Sequence, residues 1–340
     1  MFAYAALTGG GSGCLLDVQT GGGLVRVWRA AVPGFVGEAG PVYVFREKEE
    51  RVVATMTVGY EASMTVRSYT PQDRERVLEL IAGDRLPGRP AVTAPMLGRA
   101  LEEGCLGDPA VGALGELYTN VAVDGAGEVV GVSCWAVREE DGEGLLLWMH
   151  GVEDDQRIAG VLVEHILEQA GRRTVHAFKV PTAIGFAGLP VRNRRGSAAA
   201  LEAAGFSRQD SWSYFHHRLD TLRPRPYAVI DITECADPYG WYVRLREKNG
   251  TPLGKTVISR PVEGTAVLEW ITLTPGLGGT GHVLLERCLS HLADRDVREL
   301  VVLLDTSADD PEHSGGPARG LHQRAGFHEI DHLYTYTRRP

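Results

Sequence analysis

Most of this sequence consists of one unit that occurs twice. Two segments recur in the same order: GVLVEHIL at 160–167 matches HVLLERCL at 282–289, and LEAAGF at 201–206 matches HQRAGF at 322–327. The shared glutamates, Glu164 and Glu286, are 122 positions apart, and the shared glycines, Gly205 and Gly326, are 121 positions apart. Solenoid repeats are much shorter, at about 20–50 residues. This spacing therefore predicts a duplicated domain.

The chain length fits two such units with a further segment in front. At 340 residues the chain exceeds the size at which single hydrophobic cores stop growing, about 250–300 residues. We predict an N-terminal extension of unknown role at residues 1–63, a first copy at residues 64–220 and a second copy at residues 221–340. The segment LRPRP at residues 222–226 marks the linker.

Each copy has the same predicted order of secondary structure. Apolar spacing predicts several strands, a long helix, a strand, a short helix and a closing pair of strands. The long helices are Ile158–Ala170 and Gly281–Leu292, and the closing pairs cover residues 206–219 and 327–338. The second copy lacks the two helices that open the first. In the first closing pair, His216-His217 have the character of surface residues where the copies join.

Composition excludes several classes of protein. The five cysteines are scattered without a CxxC pattern or a cysteine/histidine cluster, so we expect neither a disulfide framework nor a bound metal. No run is apolar enough for a membrane helix, and the first residues lack the basic region of a signal peptide. The formal net charge of −9 argues against a nucleic-acid binder. We expect a cytoplasmic protein.

A glycine-rich loop precedes the long helix of the second copy. Its sequence is PGLGGTG, and its candidate ligand-binding residues are Gly276, Leu277, Gly278, Gly279, Thr280 and Gly281. Glycines leave backbone N–H groups open to an anion, and the positive end of the helix dipole attracts it. A pyrophosphate fits such a loop. A tight strand-to-helix turn is the alternative interpretation.

The order of strand, glycine-rich loop, leucine-rich helix, strand and short helix ending in Gly-Phe resembles the GCN5-related N-acetyltransferase (GNAT) superfamily. The loop of that family is Arg/Gln-x-x-Gly-x-Gly/Ala, and Gly279 and Gly281 match its two small positions. Gly276 stands where the family has Arg or Gln. The resemblance implies an α/β fold of two tandem GNAT-type domains, each a mixed, mostly antiparallel sheet flanked by helices, behind the N-terminal extension.

The same resemblance implies a function. The cosubstrate is expected to be acetyl-CoA, with loop amides on its pyrophosphate and its pantetheine arm along the strand at Ile271 and Leu273. The reaction is expected to be N-acyl transfer to a small-molecule or peptide amine, by direct attack in a ternary complex. The alternative is a non-catalytic tandem scaffold or CoA sensor, which the departure at Gly276 favours. The sequence does not predict an oligomeric state.

Comparison of the copies predicts a single site. Aligning the shared glutamates places Arg157 opposite Gly279 and Ala159 opposite Gly281. The segment EDDQR at residues 153–157 carries three acidic side chains that repel a pyrophosphate, and Arg157 is expected to fill the space that the anion needs. We predict that the first copy does not bind CoA and instead supports the second.

Two residues are candidates for acid–base catalysis, because amide formation requires a neutral amine. Glu269 lies in the strand before the loop, near the usual general base of the family, with a surface glutamate as the alternative. His322 corresponds to the family's acidic tyrosine, while the first copy has Leu201 there. Histidine can donate a proton near neutral pH, with a helix-surface histidine as the alternative. Tyr334 and Tyr336 could replace it, although alternating aromatics are usually packing residues.

Overall fold

The computed structural model describes residues 13–20, 23–30, 42–45, 64–104, 113–219, 229–236, 239–273, 280–306 and 315–340. In the N-terminal extension, three strands form an antiparallel sheet in chain order. They are Gly13–Thr20 (β1), Gly23–Ala30 (β2) and Val42–Phe45 (β3). The contacts between residues divide the chain into two compact units, residues 1–63 and residues 64–340. None of the described helices is long and apolar enough to cross a membrane.

Residues 64–219, here called the first half, contain four helices and seven strands. The elements in chain order are Thr65–Ser68 (β4), Arg74–Gly83 (α1), Ala94–Glu102 (α2), Leu114–Val123 (β5), Val129–Arg138 (β6), Gly144–Gly151 (β7), Gln156–Ala170 (α3), Val175–Ala177 (β8), Leu189–Pro190 (β9), Arg195–Ala203 (α4) and Ser207–Arg218 (β10). A single 3-10 turn precedes α1, and another precedes α3.

The described part of residues 229–340, here called the second half, contains two helices and six strands. The elements are Val229–Ala236 (β11), Tyr239–Arg246 (β12), Pro252–Ser259 (β13), Thr265–Leu273 (β14), Thr280–Ala293 (α5), Glu299–Asp305 (β15), Gly315–Arg324 (α6) and His328–Arg338 (β16). The long helices α3 and α5 match the sequence-based prediction closely. Strand β11 was not predicted.

The 3-10 turn that leads into α1 shows how local sequence sets the boundary of an element. The backbone N–H of Thr70 donates to the carboxylate of Asp73 at 2.8 Å, and proline follows at the first position of the turn. Proline is suited to that position because its fixed φ is helical and the missing N–H would have no helical partner. Val77, Leu80 and Ile81 then recur on one face and are buried.

Both halves share one continuous sheet. Its 13 strands are ordered β11-β12-β13-β14-β15-β10-β16-β8-β7-β6-β5-β4, and β9 pairs with β16. All neighbouring pairs are antiparallel except β7–β8 and β14–β15, which are parallel. This confirms the predicted fold class, a mixed and mostly antiparallel sheet with helices. The proposed boundary between residues 220 and 221 stays a prediction.

The closing strands differ from the prediction. Each half ends in one long strand where a pair of strands was expected, and each of these strands pairs with the other half. Strand β10 lies beside β15, where Tyr214 faces Leu303, and β16 lies beside β8, where Tyr336 faces Ala177. The physical reason is backbone hydrogen bonding. Each exchanged strand pairs with the outer strand of the parallel pair in the other half, so neither half leaves an unpaired sheet edge where the two sheets join.

Helices cover the sheet unequally. In the first half, α3 and α4 pack on one face through residues such as Leu162 and Leu201, and α1 and α2 pack on the other face. In the second half, α5 and α6 pack on one face through residues such as Leu285. On the opposite face the described core consists of loop and strand residues, among them Leu86 and Val301.

Burial of His291 near the end of α5 should make stability depend on pH. Its ring lies edge-on to Trp241 at 5.2 Å, and burial lowers the pKa of His291 to about 4. The unfolded value is about 6.5, so between these values the unfolded chain binds the proton more tightly and stability falls as pH falls. We expect up to about 3 kcal/mol of unfolding free energy to be lost between pH 7 and pH 4 through this residue.

Urea unfolding at both pH values, compared between the native chain and His291→Leu, measures this loss. The variant should have the smaller difference between the two pH values. His328→Leu is the matched control because His328 is exposed, and it should retain the native pH dependence. An equal pH dependence in all three proteins would contradict the prediction.

Candidate functional site

The parallel strands of the second half separate partway along their length. Thr265–Leu268 of β14 pair with Glu299–Val302 of β15, and no residue of β14 after Leu268 pairs with β15. In the first half, β7 and β8 separate at the corresponding place, after Leu146. Both halves therefore contain a gap between parallel strands in front of the long helix.

Glu269 is the first residue of β14 beyond the last pair with β15, and it forms a β-bulge. Trp270 pairs with Val257 and Leu268 pairs with Ile258, so Glu269 is left out of the ladder. Bulges are frequent beside active sites because they redirect side chains. The first half has the same bulge 122 positions earlier, at Leu147. The sequence signal for it is Leu-Leu-Trp at 146–148 against Leu-Glu-Trp at 268–270, which the sequence analysis missed.

The surroundings of the two bulges differ. Leu147 and Trp148 are buried at 2% and 3% exposure, in the core formed with α1 and α2. The second half has no described counterpart of α1 and α2, so Glu269 is exposed and Trp270 is 38% exposed. Although Glu269 is exposed overall, the protein around its carboxyl group desolvates the charge and raises the pKa of Glu269. A carboxylate with a raised pKa is a better general base near neutral pH.

Helix α5 begins beside the end of β14. A Cβ atom on Gly281 would lie 2.7 Å from Leu273 Cδ1 and 3.0 Å from Leu321 Cδ2. Glycine at this position therefore lets α5 approach β14 and α6 closely. The first turn of α5, which starts at Thr280, contains no acidic residue. The other predicted loop residues, Gly276, Leu277, Gly278 and Gly279, lie outside the described part of the chain.

In the first half, a carboxylate occupies the start of the corresponding helix. Asp155 accepts hydrogen bonds from the N–H groups of Arg157 at 2.7 Å and of Ile158 at 3.3 Å. These donors are the ones that an anionic ligand would use. The side chain of Arg157 is 78% exposed, so the expectation that Arg157 fills the anion space is wrong. The carboxylate of Asp155 caps the helix instead.

A buried charge network closes the strand gap of the first half. Arg194 is 3% exposed and donates to Asp154 at 3.0 Å and to the carbonyl oxygen of Met149 at 2.9 Å. Its guanidinium also lies 3.1 Å from Asp84, which is 2.7 Å from Nδ1 of His150. The carbonyl oxygen of Met149, two residues beyond the bulge, is therefore engaged by a protein side chain. An extended ligand would compete with Arg194 for it.

The second half lacks the residues that form this network. Alignment by the repeat spacing places Gly276 at Asp154 and Leu277 at Asp155, while Gly315 falls at Arg194. Every charged group of the first-half network that has a counterpart is thus replaced by an uncharged residue. The unequal relation between the copies that the sequence predicted has this physical basis.

His322 lies on α6 as predicted but is fully buried at 0% exposure. Its Nδ1 donates to the carbonyl oxygen of Ala318 at 2.8 Å, and its ring lies against Phe327 and Phe215, with centroids at 5.3 and 6.4 Å. Burial lowers the pKa of His322 and so favours its neutral form. The structure shows no contact between His322 and Glu269 within the described residues.

Strand exchange also decides the location of the remaining candidates. Tyr336 is fully buried in the core of the first half, and Tyr334 packs against that core. Neither tyrosine is therefore a replacement for His322 in the second half. His216 and His217 do lie where the halves join, but the expectation that they are surface residues is wrong, because both are less than 9% exposed. The loop at Gly88 packs on His216, and the ring of His217 stacks on Phe327 with centroids 4.9 Å apart.

Comparison with known proteins gives structural matches alone. No protein-family model matches the sequence, and no curated protein is similar to it. Among solved structures, a GCN5-related N-acetyltransferase from Sphaerobacter thermophilus matches with a TM-score of 0.53 at 14% identity, covering 82% of this chain and 96% of that one. A tandem GNAT protein from the clavulanic acid biosynthesis pathway matches with a TM-score of 0.50 at 17% identity, covering 81% and 98%.

Identities this low establish a common fold. The matched share, 81–82% of the chain, agrees in extent with residues 64–340. Together with the sheet order, these matches show that the chain has the fold of the GCN5-related N-acetyltransferases.

Proposed function

We propose that the second half binds an acyl-CoA, with acetyl-CoA as the expected donor, and transfers its acyl group to an amine. The observation that carries this proposal is the contrast between the two strand gaps. The first gap is closed by Arg194 and by the Asp155 cap, whereas the aligned positions of the second half have no charged side chain. The second gap is thus the one suited to a ligand.

Two features of the second half fit the parts of acyl-CoA. The edge of β14 at Ile271 and Leu273 is not paired with β15, so its backbone is suited to the amides of an extended pantetheine arm. The start of α5 at Thr280 and Gly281, with the glycine-rich loop before it, is suited to the pyrophosphate. The donor supplies an activated thioester to the site.

Glu269 is the proposed general base. The amine nitrogen attacks the thioester carbonyl directly, a C–N bond forms, the C–S bond breaks, and the amine proton passes to the Glu269 carboxylate. Two observations support this assignment: Glu269 lies in a β-bulge, and no described helix of the second half corresponds to α1 and α2, which cover the first bulge. The assignment of His322 as the acid for the leaving thiolate stays a prediction, and its burial favours a packing role.

Isothermal titration of acetyl-CoA into the full chain tests the proposal. Thr280→Glu adds a negative charge at the first residue of α5, where it is favourable for the helix dipole but repels a phosphate. We expect this variant to bind acetyl-CoA at least about ten-fold more weakly. Gln156→Glu makes the matched change at the first residue of α3 and should leave the affinity unchanged.

The outcomes separate the candidate functions. Absence of acetyl-CoA binding to the native chain at millimolar ligand refutes an acyl-CoA site. Equal weakening by both variants would place the site elsewhere. Binding without thiol release in the presence of any tested amine would favour the alternative, a CoA-binding scaffold or sensor without catalysis.

A further inference from the structure

A cavity of about 470 Å³ lies where β10 ends and where β14 and β15 begin. Both halves contribute to it: the loop after α1 and the end of β10 come from the first half, and the starts of β14 and β15 come from the second. Its charged lining residues are Arg85, Arg89, Arg218, Glu263, Arg298 and Glu299. The candidate acyl-CoA site uses none of them.

The cavity is positively charged in a protein that is negatively charged overall. Four arginines face two glutamates in the lining, whereas the whole chain has a formal net charge of −9. Glu263 accepts a hydrogen bond from the N–H of Ala91 at 3.2 Å, and Glu299 lies 3.8 Å from Nε2 of His216. Within the described residues, no carboxylate forms an ion pair with any of the four guanidinium groups.

The position of Arg89 is set by close packing around its loop and its side chain. Gly88 has a φ of +76°, and a Cβ there would lie 2.4 Å from His216 Cδ2, so glycine allows the loop to lie on β10. The guanidinium of Arg89 stacks on the ring of Phe186 at 5.1 Å. A Cβ on Gly185 would lie 2.7 Å from one of its nitrogens.

The environment of Arg89 is unfavourable for a cation without a partner. Burial lowers the pKa of Arg89, and the nearby charge of Arg194 lowers it further. No described residue accepts a hydrogen bond from its guanidinium. A desolvated guanidinium of this kind gains most from an anion that fills the adjacent space.

We propose that this cavity is a binding site for a small ligand that carries several oxyanion groups, recognised by Arg85, Arg89, Arg218 and Arg298. Phosphate and carboxylate groups each present two oxygens that a guanidinium group can bind through a pair of hydrogen bonds. Thr265, at the edge of the cavity, is four residues from Glu269, or about 13 Å along the strand. The cavity is thus a second site, distinct from the gap between β14 and β15.

Titration calorimetry of sodium pyrophosphate and, separately, of citrate into the full chain at low ionic strength tests this proposal. The informative variant is Arg85→Met combined with Arg218→Met, because neither side chain makes a hydrogen bond or an ion pair with another described residue. We expect it to bind the preferred anion at least about ten-fold more weakly. The matched control combines Arg172→Met with Arg195→Met, two exposed arginines outside the cavity.

Each outcome is decisive. Loss of binding in the cavity variant alone supports the site, and the preferred titrant then identifies phosphate or carboxylate as the recognised group. Equal loss in the control pair shows non-specific attraction and overturns the proposal. Loss in Thr280→Glu but not in the cavity variant assigns the anion to the loop before α5 and also overturns it. The proposal is also overturned if neither pyrophosphate nor citrate binds at millimolar concentration. Acetyl-CoA affinity should be unchanged in the cavity variant, so the two proposals fail independently.

Discussion

Replacing Glu269 with glutamine should lower kcat for acyl transfer by about 100- to 10,000-fold, the usual contribution of a general base. Glutamine keeps the size of the side chain but cannot accept the amine proton. Because acetyl-CoA is expected to bind to β14 and α5, its affinity should change little. The measurement is thiol release from acetyl-CoA with a panel of polyamines, aminoglycosides and a peptide N-terminus.

The pH profile adds a second readout for Glu269. Desolvation raises the pKa of this carboxyl group, so the native rate should fall as pH decreases through that raised value, while Glu269→Gln loses this limb of the profile. Glu247→Gln is the control, because Glu247 is exposed and contacts Asn249 in a turn. A Glu269→Gln variant with native kcat would remove Glu269 from the mechanism. His322→Gln with native kcat would confirm that His322 is a packing residue.

Replacing Arg194 with methionine should lower the free energy of unfolding by about 3–5 kcal/mol. The change leaves Asp84, which is buried at 8% side-chain exposure, and Asp154, which is 12% exposed, without their cationic partner. Removal of one member of a buried charge network costs more than the loss of a surface ion pair, because the remaining charges stay desolvated. Urea unfolding followed by circular dichroism measures the change.

Arg192 provides the control for this prediction, two residues away in the same segment. Its side chain is 50% exposed and lies 3.3 Å from Glu329, so Arg192→Met should cost less than about 1 kcal/mol. Below its unfolding transition, Arg194→Met should also keep native affinity for acetyl-CoA, because the network belongs to the first half. Equal stability of the two variants would contradict a structural role for the network.

Some features of the site were predictable because they depend on residues close together in sequence. Helices α3 and α5 follow from apolar periodicity, and the prediction that the first half lacks an anion site follows from the acidic residues before α3. The identity of the group that replaces the anion was not predictable. Arg157 and Asp155 both lie near the start of α3 in the sequence. Only the structure shows that Asp155 accepts hydrogen bonds from the first N–H groups of the helix, while the side chain of Arg157 extends into solvent.

The surroundings of residues that contact distant parts of the sequence were predicted less well. His322 occupied the expected position in α6, but its burial depends on Phe215, which β10 of the other half contributes. Tyr336 was a candidate for the second-half site, yet β16 carries it into the first-half core. The arginine cavity also joins segments more than two hundred positions apart, from Arg85 to Arg298.

The amino-acid sequence alone indicates that one α/β unit is duplicated, which helix follows the glycine-rich loop, and that the two copies are chemically unequal. These properties are set by residue identity and by periodicities within about 15 residues. Contacts between distant segments decided that the copies exchange their last strands, that Arg194 binds the β7 backbone beside the first gap, and that Glu269 lies in an exposed bulge. Strand pairing and burial depend on contacts between distant segments, and a local pattern of apolar residues does not specify which partner each strand finds.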